Sequence, residues 1–117
     1  MSNAMNEDVY IIIPVYNEEK VICGVVNDVT KHFSNVICVN DGSRDNSAGE
    51  ILKTKAALVD HPLNLGQGAA LQTGIEYALQ DPRAEYFVTF DADGQHSLTD
   101  VHSMLKYIRD NKIDIVL

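Results

Sequence analysis

Short apolar runs alternate along the chain with longer segments in which apolar residues recur at helical spacing. Runs rich in β-branched and aromatic residues are typical of buried strands in a parallel sheet, and they cover 9–13, 36–39, 56–59, 87–90 and 113–117. Helical spacing predicts helices over about 18–33, 48–52, 68–80 and 101–108. The repeated order of strand and helix predicts an α/β fold, βαβαβαβαβ, with a mostly parallel sheet, helices on both faces and right-handed crossovers.

Polar residues directly follow three of the predicted strands. Pro14-Val15-Tyr16-Asn17-Glu18 follows the first, Asn40-Asp41-Gly42-Ser43 the second and Asp91-Ala92-Asp93-Gly94-Gln95 the fourth. Pro14 cannot donate a hydrogen bond to a neighbouring strand and is predicted to end the first one. In open α/β sheets, ligands bind outside the carboxyl ends of the strands. The three segments are therefore predicted to form one site.

The segment after the fourth strand carries the most specific chemistry. Asp91, Asp93 and Gln95 are two residues apart, so their side chains share a face while the backbone stays extended. Three oxygen donors at the mouth of a sheet suit a hard cation such as Mg²⁺ or Mn²⁺. The alternative is a polar turn in which Thr99 or Asp100 caps the next helix.

The charge of the chain restricts its partners. A formal net charge of −8 and an isoelectric point near 4.7 argue against nucleic acid or an anionic membrane surface as the main partner. An acidic site can still hold a polyanion if a divalent cation bridges the two. The acidity of the chain and the predicted metal site are therefore compatible.

Length and cysteine content indicate one soluble domain. A chain of 117 residues suffices for one core, and no apolar run reaches the roughly 20 residues of a membrane helix. Met1-Ser2-Asn3-Ala4 is typical of an expression-vector remnant, which leaves 5–117 as the domain. Cys23 and Cys38 lie in a helical and a strand pattern, which predicts buried, reduced thiols and a cytoplasmic location.

Each motif alone has an ordinary structural explanation. The Tyr16-Asn17-Glu18 segment suits a strand end and a helix cap, and Asn40-Asp41-Gly42-Ser43 suits a turn. Gly66-Gln67-Gly68 suits either helix entry or a phosphate cradle built from backbone N–H groups. His96 is a titratable group beside the acids, or an exposed residue at a helix entry. No function is assigned to the other histidines, which are predicted to lie on helix or loop surfaces: His32, His61 and His102.

Together, the order and spacing of these motifs resemble the nucleotide-sugar-binding half of inverting family 2 glycosyltransferases with the GT-A fold. The Asp-Ala-Asp-Gly-Gln-His form at 91–96 is most similar to polyprenyl-phosphate mannosyl- or glucosyltransferases of the dolichyl-phosphate mannose synthase type. The resemblance extends from Val9 to Leu117. It implies a truncated, Rossmann-like GT-A domain that binds UDP- or GDP-sugar.

The resemblance also implies roles for individual residues. Pro14, Tyr16 and Glu18 are expected to line the nucleobase pocket, and Asp41 to hydrogen-bond the base. Asp91 is expected to face the ribose and the metal, with Asp93 and Gln95 as ligands of Mg²⁺ or Mn²⁺. Gly68, in the predicted phosphate cradle, completes the nucleotide-binding set. Asn40 stands where many members of the family have aspartate.

Enzymes of this type continue beyond the region matched here, with an acceptor-binding part and often membrane helices. We therefore expect a donor-binding portion that is inactive alone, to which no catalytic base is assigned. Full-length enzymes of this type are expected at the cytoplasmic face of the membrane. If 113–117 forms an apolar edge strand, a homo-oligomer is expected through exposed sheet edges.

Three other functions fit parts of the pattern. A nucleotidyltransferase uses a similar sheet and metal, but usually has a basic glycine-rich loop after the first strand, where this chain has no Lys or Arg before Lys20. A receiver-type signalling domain needs an acceptor aspartate ending its third strand and a lysine ending its fifth. A noncatalytic nucleotide-binding module remains an alternative.

Overall fold

The computed structural model describes residues 6–93 and 98–111. Its four strands form one parallel sheet in the order β3-β2-β1-β4: β1 (Val9–Val15), β2 (Val36–Asp41), β3 (Ala57–His61) and β4 (Tyr86–Thr89). Its four helices alternate with them: α1 (Ile22–Thr30), α2 (Ser47–Leu52), α3 (Gln67–Ala78) and α4 (Leu98–Asn111). The predicted α/β architecture is confirmed, while the predicted strand at 113–117 lies outside the described residues.

The strand order determines which face each helix covers. The connections from β1 to β2 and from β2 to β3 step in the same direction, so α1 and α2 lie on one face of the sheet, where Ile22, Val26 and Ile51 are buried. The connection from β3 to β4 runs back past β2 and β1, and right-handed crossing then places α3 on the opposite face. Val101 and Leu105 of α4 join the α1 face.

Small residues hold α3 close to the sheet. Its buried positions are Ala70, Gly74 and Ala78, four residues apart and therefore on one side of the helix. A Cβ added at Gly74 would lie 2.5 Å from Cγ2 of Ile12. Leu79, directly after the helix, is 60% exposed, and the close approach leaves room only for small side chains at the buried positions.

Pro14 lies within β1 and does not end it, contrary to the prediction. The C=O of Ile12 accepts a hydrogen bond from Phe90 N–H, so Ile12 directs its backbone groups toward β4, and so does Pro14 two residues later. Because β4 ends at Thr89, opposite Ile12, no strand residue there needs an N–H from position 14. The proline is therefore tolerated in a strand that has neighbours on both sides.

Two other predicted elements differ in detail. Over the described residues β4 pairs with β1 alone, and Thr89 at its end is exposed, so this strand is less buried than its apolar sequence predicted. The first helix begins at Ile22, not near residue 18. The backbone N–H groups of Glu18 and Glu19 donate to the side chains of Ser47 and Asp45. The C=O of Glu18 accepts from Ile22 N–H at the entry to the helix.

Candidate functional site

A cleft of about 470 Å³ opens at the carboxyl ends of the strands, within the size range of small-molecule sites. It lies where the strand order reverses between β1 and β4, which is the expected ligand position in an open α/β sheet. The ends of β1 and β2 and the segments that follow β1, β3 and β4 line it: Pro14, Val15, Tyr16, Glu18, Asp41, Asn64, Gly66, Gln67, Asp91, Ala92 and Asp93.

Most of the residues selected from the sequence meet in this cleft. They lie at or just after the carboxyl ends of β1, β2 and β4: Pro14, Tyr16, Glu18, Asp41, Asp91 and Asp93. Gly68 lies inside α3 and is not among the lining residues. Gly66 and Gln67, at the entry to this helix, line the cleft instead. Gln95 and His96 lie outside the described residues. Asn64, Gly66 and Gln67 show that the loop after β3 also forms part of the site.

The loop after β1 is joined to the loop after β2 through Asn17. This residue has a positive φ of 53°, which asparagine tolerates better than most residues. Its N–H donates to Oγ of Ser43 at 2.9 Å, and its Oδ1 accepts from Arg44 N–H at 2.8 Å. These two bonds stabilise the unusual backbone and fix the turn between Tyr16 and Glu18.

Ser47 extends the connection between these loops. Its side chain is fully buried, and its Oγ accepts from Glu18 N–H at 2.9 Å and donates to Asp45 Oδ1 at 2.6 Å. Burial would raise the pKa of Asp45, but hydrogen bonds from Ser47 and from backbone N–H groups, including that of Glu19, outweigh it and lower the pKa. The backbone beside Tyr16 and Glu18 is thus tied to the start of α2.

Asp41 joins β2 to the loop after β3. Its Oδ1 accepts from Leu65 N–H and is 2.8 Å from Nδ1 of His61, while its Oδ2 accepts from Gly66 N–H. Burial would raise the pKa of Asp41, but the hydrogen bonds from His61, Leu65 and Gly66 outweigh it and hold the pKa below its usual value. Asp41 therefore stays a carboxylate although it is only 4% exposed.

The prediction that His61 lies on a loop or helix surface is wrong. It is the last residue of β3, its side chain is 9% exposed, and Nε2 lies 2.8 Å from Oγ1 of Thr73 on α3. The sequence interpretation ended β3 at Val59 and so missed a polar residue at the same sheet edge as Asp41. The informative signal was the position of His61 two residues beyond the apolar run, in phase with Ala57 and Val59.

Gly42 allows the loop after β3 to approach β2. Its φ is +71°, and a Cβ at this position would lie 2.4 Å from the backbone N of Asn64 and 2.5 Å from the carbonyl carbon of Leu63. The side chain of Asn64 also donates to the C=O of Asp41. Backbone contact of this kind requires glycine, so Gly42 contributes to the shape of the cleft.

Asn40 has a structural partner on the neighbouring strand. Its Nδ2 donates to Oδ1 of Asp60 at 2.9 Å, whereas its buried Oδ1 has no partner among the described residues. An aspartate at position 40 would place two carboxylates side by side. The asparagine therefore suits a chain that has Asp60 on β3.

Asp91 lies two residues beyond β4, and Ala92 and Asp93 form a turn, so the extended backbone that would put both carboxylates on one face does not continue through Asp93. Ala92 between them is buried in the core of the α1 face, so the turn is anchored while Asp93 is exposed and Asp91 is half-buried. The described lining of the cleft contains the carboxylates of Glu18, Asp41, Asp91 and Asp93 and no Lys, Arg or His.

The oxygen-rich lining suits a hard cation, although the described side chains alone do not provide a complete set of metal ligands. Over 6–93 and 98–111, no three His, Cys, Asp or Glu side chains are grouped closely enough to hold a metal ion by themselves. Mg²⁺ is commonly bound by one or two carboxylates together with substrate phosphates and waters. Asp91 and Asp93 fit that pattern.

In the same described segments, no helix has the length and apolar character to span a membrane.

Comparison with known proteins agrees with this geometry. Residues 10–117 match the family model described as glycosyl transferase family 2. The chain is 38% identical to the UDP-N-acetylglucosamine–dolichyl-phosphate N-acetylglucosaminyltransferase of Methanococcus voltae, over 92% of this chain and 50% of that protein. It is 29% identical to a dolichyl-phosphate beta-glucosyltransferase of Trichomonas vaginalis, over 91% of this chain and 37% of that protein. The chain thus spans half or less of the length of these relatives.

A solved structure supports the fold. Glucosyl-3-phosphoglycerate synthase from Mycobacterium tuberculosis, determined in complex with uridine diphosphate, superposes with a TM-score of 0.60. Its sequence identity is 22%, and the match covers 73% of this chain and 33% of that one. Fold, cleft position and the family match over nearly all of the chain lead to one conclusion: this chain belongs to glycosyl transferase family 2.

Proposed function

We propose that the chain is the donor-binding portion of a metal-dependent glycosyltransferase that transfers a hexose from UDP- or GDP-sugar. The observation that carries the proposal is the cleft itself, whose described lining has four carboxylates and no basic side chain. A diphosphate cannot bind favourably beside these carboxylates unless a cation lies between them. The chemistry of the site and the phosphate of a sugar nucleotide therefore both call for Mg²⁺ or Mn²⁺.

The proposed ligand position follows from the loops. Asp91 and Asp93 would hold the cation, which would supply stabilisation of the charge that develops on the leaving diphosphate. The family resemblance adds Gln95, outside the described residues, to this set. Pro14, Tyr16, Glu18 and Asp41 contact the nucleobase, and Asp91 faces the ribose and the cation. These two groups come from loops on opposite sides of the cleft, as an extended ligand requires.

The beginning of α3 supports a phosphate near Gly68. Gly66 and Gln67 line the cleft, and Gly66 has a positive φ of 101° that directs the chain into the helix. The first N–H groups of a helix have no partner within it and attract negative charge. The N–H groups of Gln67 and Gly68 therefore belong to the proposed phosphate site. Gly68 would contribute through its backbone N–H, since it is not itself among the residues that line the cleft.

The proposed acceptor is a polyprenyl phosphate, because relatives that span this chain are named for transfer to dolichyl phosphate. Such an acceptor is a membrane lipid, so we place the reaction at the cytoplasmic face of a membrane. The free thiols of Cys23 and Cys38 suit a reducing compartment. We assign the acceptor site to parts of the enzyme beyond this chain.

Calorimetry tests the donor proposal. We expect UDP or GDP to bind in the presence of Mn²⁺ and to lose binding when EDTA replaces the metal, because the four carboxylates then repel the phosphates. Equal binding in EDTA, or no binding of either nucleotide with Mn²⁺, contradicts the proposal.

A transfer assay with polyprenyl phosphate separates donor binding from catalysis. We expect no turnover by this chain alone, and measurable turnover would overturn the assignment of the acceptor site.

A further inference from the structure

The hydrogen bonds of Asp41 leave little capacity for a ligand. A carboxylate has about four lone-pair positions, two on each oxygen. Oδ1 uses both of its positions, one for Leu65 N–H at 2.9 Å and one for His61 Nδ1 at 2.8 Å. Oδ2 uses one position for Gly66 N–H at 2.9 Å. Within the described part of the chain, one acceptor position on Oδ2 is left for a molecule in the cleft.

Thr73 holds His61 in this arrangement. Nδ1 donates to Asp41 while Nε2 faces the hydroxyl of Thr73 at 2.8 Å, and a threonine hydroxyl can either donate or accept. Both ring nitrogens therefore have a hydrogen-bond partner. Because His61 lies on β3 and Thr73 on α3, two rigid elements fix the direction of the bond to Asp41.

We propose that His61 is a specificity-determining residue for the nucleobase, because it occupies an acceptor position on Asp41 that a second donor of the base would otherwise use. The inference rests on the proposed function, in which Asp41 meets the base. His61 does not contact the base in this proposal. It acts through Asp41, with Thr73 as the residue that positions its ring.

The consequence follows from the donor patterns of the two candidate bases. Uracil presents one N–H donor between two carbonyl groups, and the open position on Oδ2 satisfies it. Guanine presents two adjacent N–H donors, which match a carboxylate only when each oxygen has an open position. With Oδ1 fully used, one guanine donor lacks its acceptor, and an unpaired donor weakens binding. The cleft therefore selects a uridine nucleotide over a guanosine nucleotide.

A matched pair of substitutions isolates this effect. In His61→Asn, the amide nitrogen is two bonds from Cβ, as Nδ1 is, so it can still donate to Asp41. In His61→Gln, the amide lies one bond further out, toward the position of Nε2 and Thr73, and leaves the Oδ1 position open. Both variants keep a polar amide at a buried site, so differences between them report on where the donor lies.

The measurement is the ratio of the Kd values for GDP and UDP, each with Mn²⁺. We expect the unchanged chain to prefer UDP by about tenfold, the ratio that corresponds to one hydrogen bond. His61→Asn should keep the preference, whereas His61→Gln should reduce the ratio toward one. Thr73→Val should reduce it partially, and Thr73→Ser, which retains the hydroxyl, should restore it. Thermal unfolding of each variant verifies the fold.

A merely structural role would weaken both nucleotides equally and leave the ratio unchanged in all variants, which overturns the inference. An unchanged ratio in His61→Gln, or an equal loss in both amide variants, overturns it as well. If a variant at position 61 fails to fold, the Thr73→Val and Thr73→Ser pair decides the question by the same ratio. Absence of binding of either nucleotide to the unchanged chain instead contradicts the proposed function. Binding without a preference for UDP contradicts this inference and leaves the proposed function intact.

Discussion

The two sides of the cleft use aspartate in different ways. On the β2 side, Asp41 is buried and accepts hydrogen bonds from a histidine and two backbone N–H groups. On the β4 side, Asp93 is exposed in a turn beyond the end of the strand, and Asp91, before that turn, is half-buried. The first side is part of the folded framework, whereas the second has an exposed carboxylate, Asp93, at the place where a cation is proposed.

This difference indicates that replacing an aspartate affects folding on one side of the cleft and ligand binding on the other. A buried carboxylate that organises a loop contributes to folding and to the site together. Asp93 is exposed in a cleft with three other carboxylates, so we expect it to contribute to cation binding more than to folding. Comparing substitutions on the two sides tests this separation directly.

The largest effect is expected from Asp41→Ala. The substitution leaves the N–H groups of Leu65 and Gly66 and the ring of His61 without their acceptor, and breaking a buried network of this kind costs about 3 kcal/mol in the free energy of unfolding. Chemical denaturation should measure this loss, and Tm should fall by roughly 10 °C. Nucleotide binding should weaken as well, because the loop with Asn64 and Gly66 is no longer held.

Asp28→Ala provides the control for that experiment. Asp28 is an exposed carboxylate on α1, whose side chain pairs with Lys31 at the surface, and exposed pairs of this kind contribute little. We expect a change within about 0.5 kcal/mol. If Asp41→Ala were as mild as Asp28→Ala, the β2 side would not have the structural role assigned to it.

The next effect concerns the β4 side and is expected in binding. Asp93→Ala should weaken Mn²⁺-dependent nucleotide binding by about 100-fold or more, because loss of a cation ligand exceeds the 10- to 100-fold typical of residues that only support ligands. The apo chain should keep its stability within about 0.5 kcal/mol, or gain slightly, since an exposed negative charge is removed from an acidic cleft.

Calorimetry and thermal unfolding of the same Asp93→Ala sample distinguish the two roles. A marked loss of apo stability would favour the alternative in which this segment is a structural turn before α4. Retention of full metal-dependent affinity would remove Asp93 from the cation site. Either result would break the contrast between the two sides of the cleft.

The sequence predicted the framework of the site because the determining signals are local. Apolar runs located the strands, and polar residues directly after β1, β2 and β4 placed Tyr16, Asp41 and Asp91 at one edge of the sheet. This part of the prediction required only that parallel strands end on the same side. Residues 10–117 match the model of glycosyl transferase family 2, the family that the motifs had indicated.

The sequence did not predict how the two sides differ, because that depends on contacts between distant segments. His61 is 20 residues from Asp41 in the chain, and nothing local marks it as the partner of that carboxylate. The fit of α3 against Ile12 through Gly74 is equally nonlocal. Pro14 was misplaced for the same reason, since its tolerance in β1 depends on where β4 ends.

The smallest effect is the acid dependence of the β2 side. The pKa of Asp41 is lower in the folded chain than its ordinary value near 4, because hydrogen bonds from His61, Leu65 and Gly66 outweigh the effect of burial. The unfolded chain therefore binds the proton first as the pH falls. The stability that Asp41 contributes is complete above about pH 5, and it is lost as the pH falls below 4 and through the folded pKa.

Asp41→Asn, which cannot titrate at this position, isolates that contribution. The unchanged chain should be more stable than the variant by a constant amount above pH 5, and the difference should shrink steadily toward pH 2. Urea denaturation at each pH measures both free energies. Tyr10 and Asp81, at the opposite end of the sheet, also form a hydrogen bond that depends on a carboxylate, but this bond is present in both chains and cancels in the difference. Two parallel curves down to pH 2 would show that Asp41 has no lowered pKa in the folded state, and the contrast between the buried and exposed sides would lose its electrostatic basis.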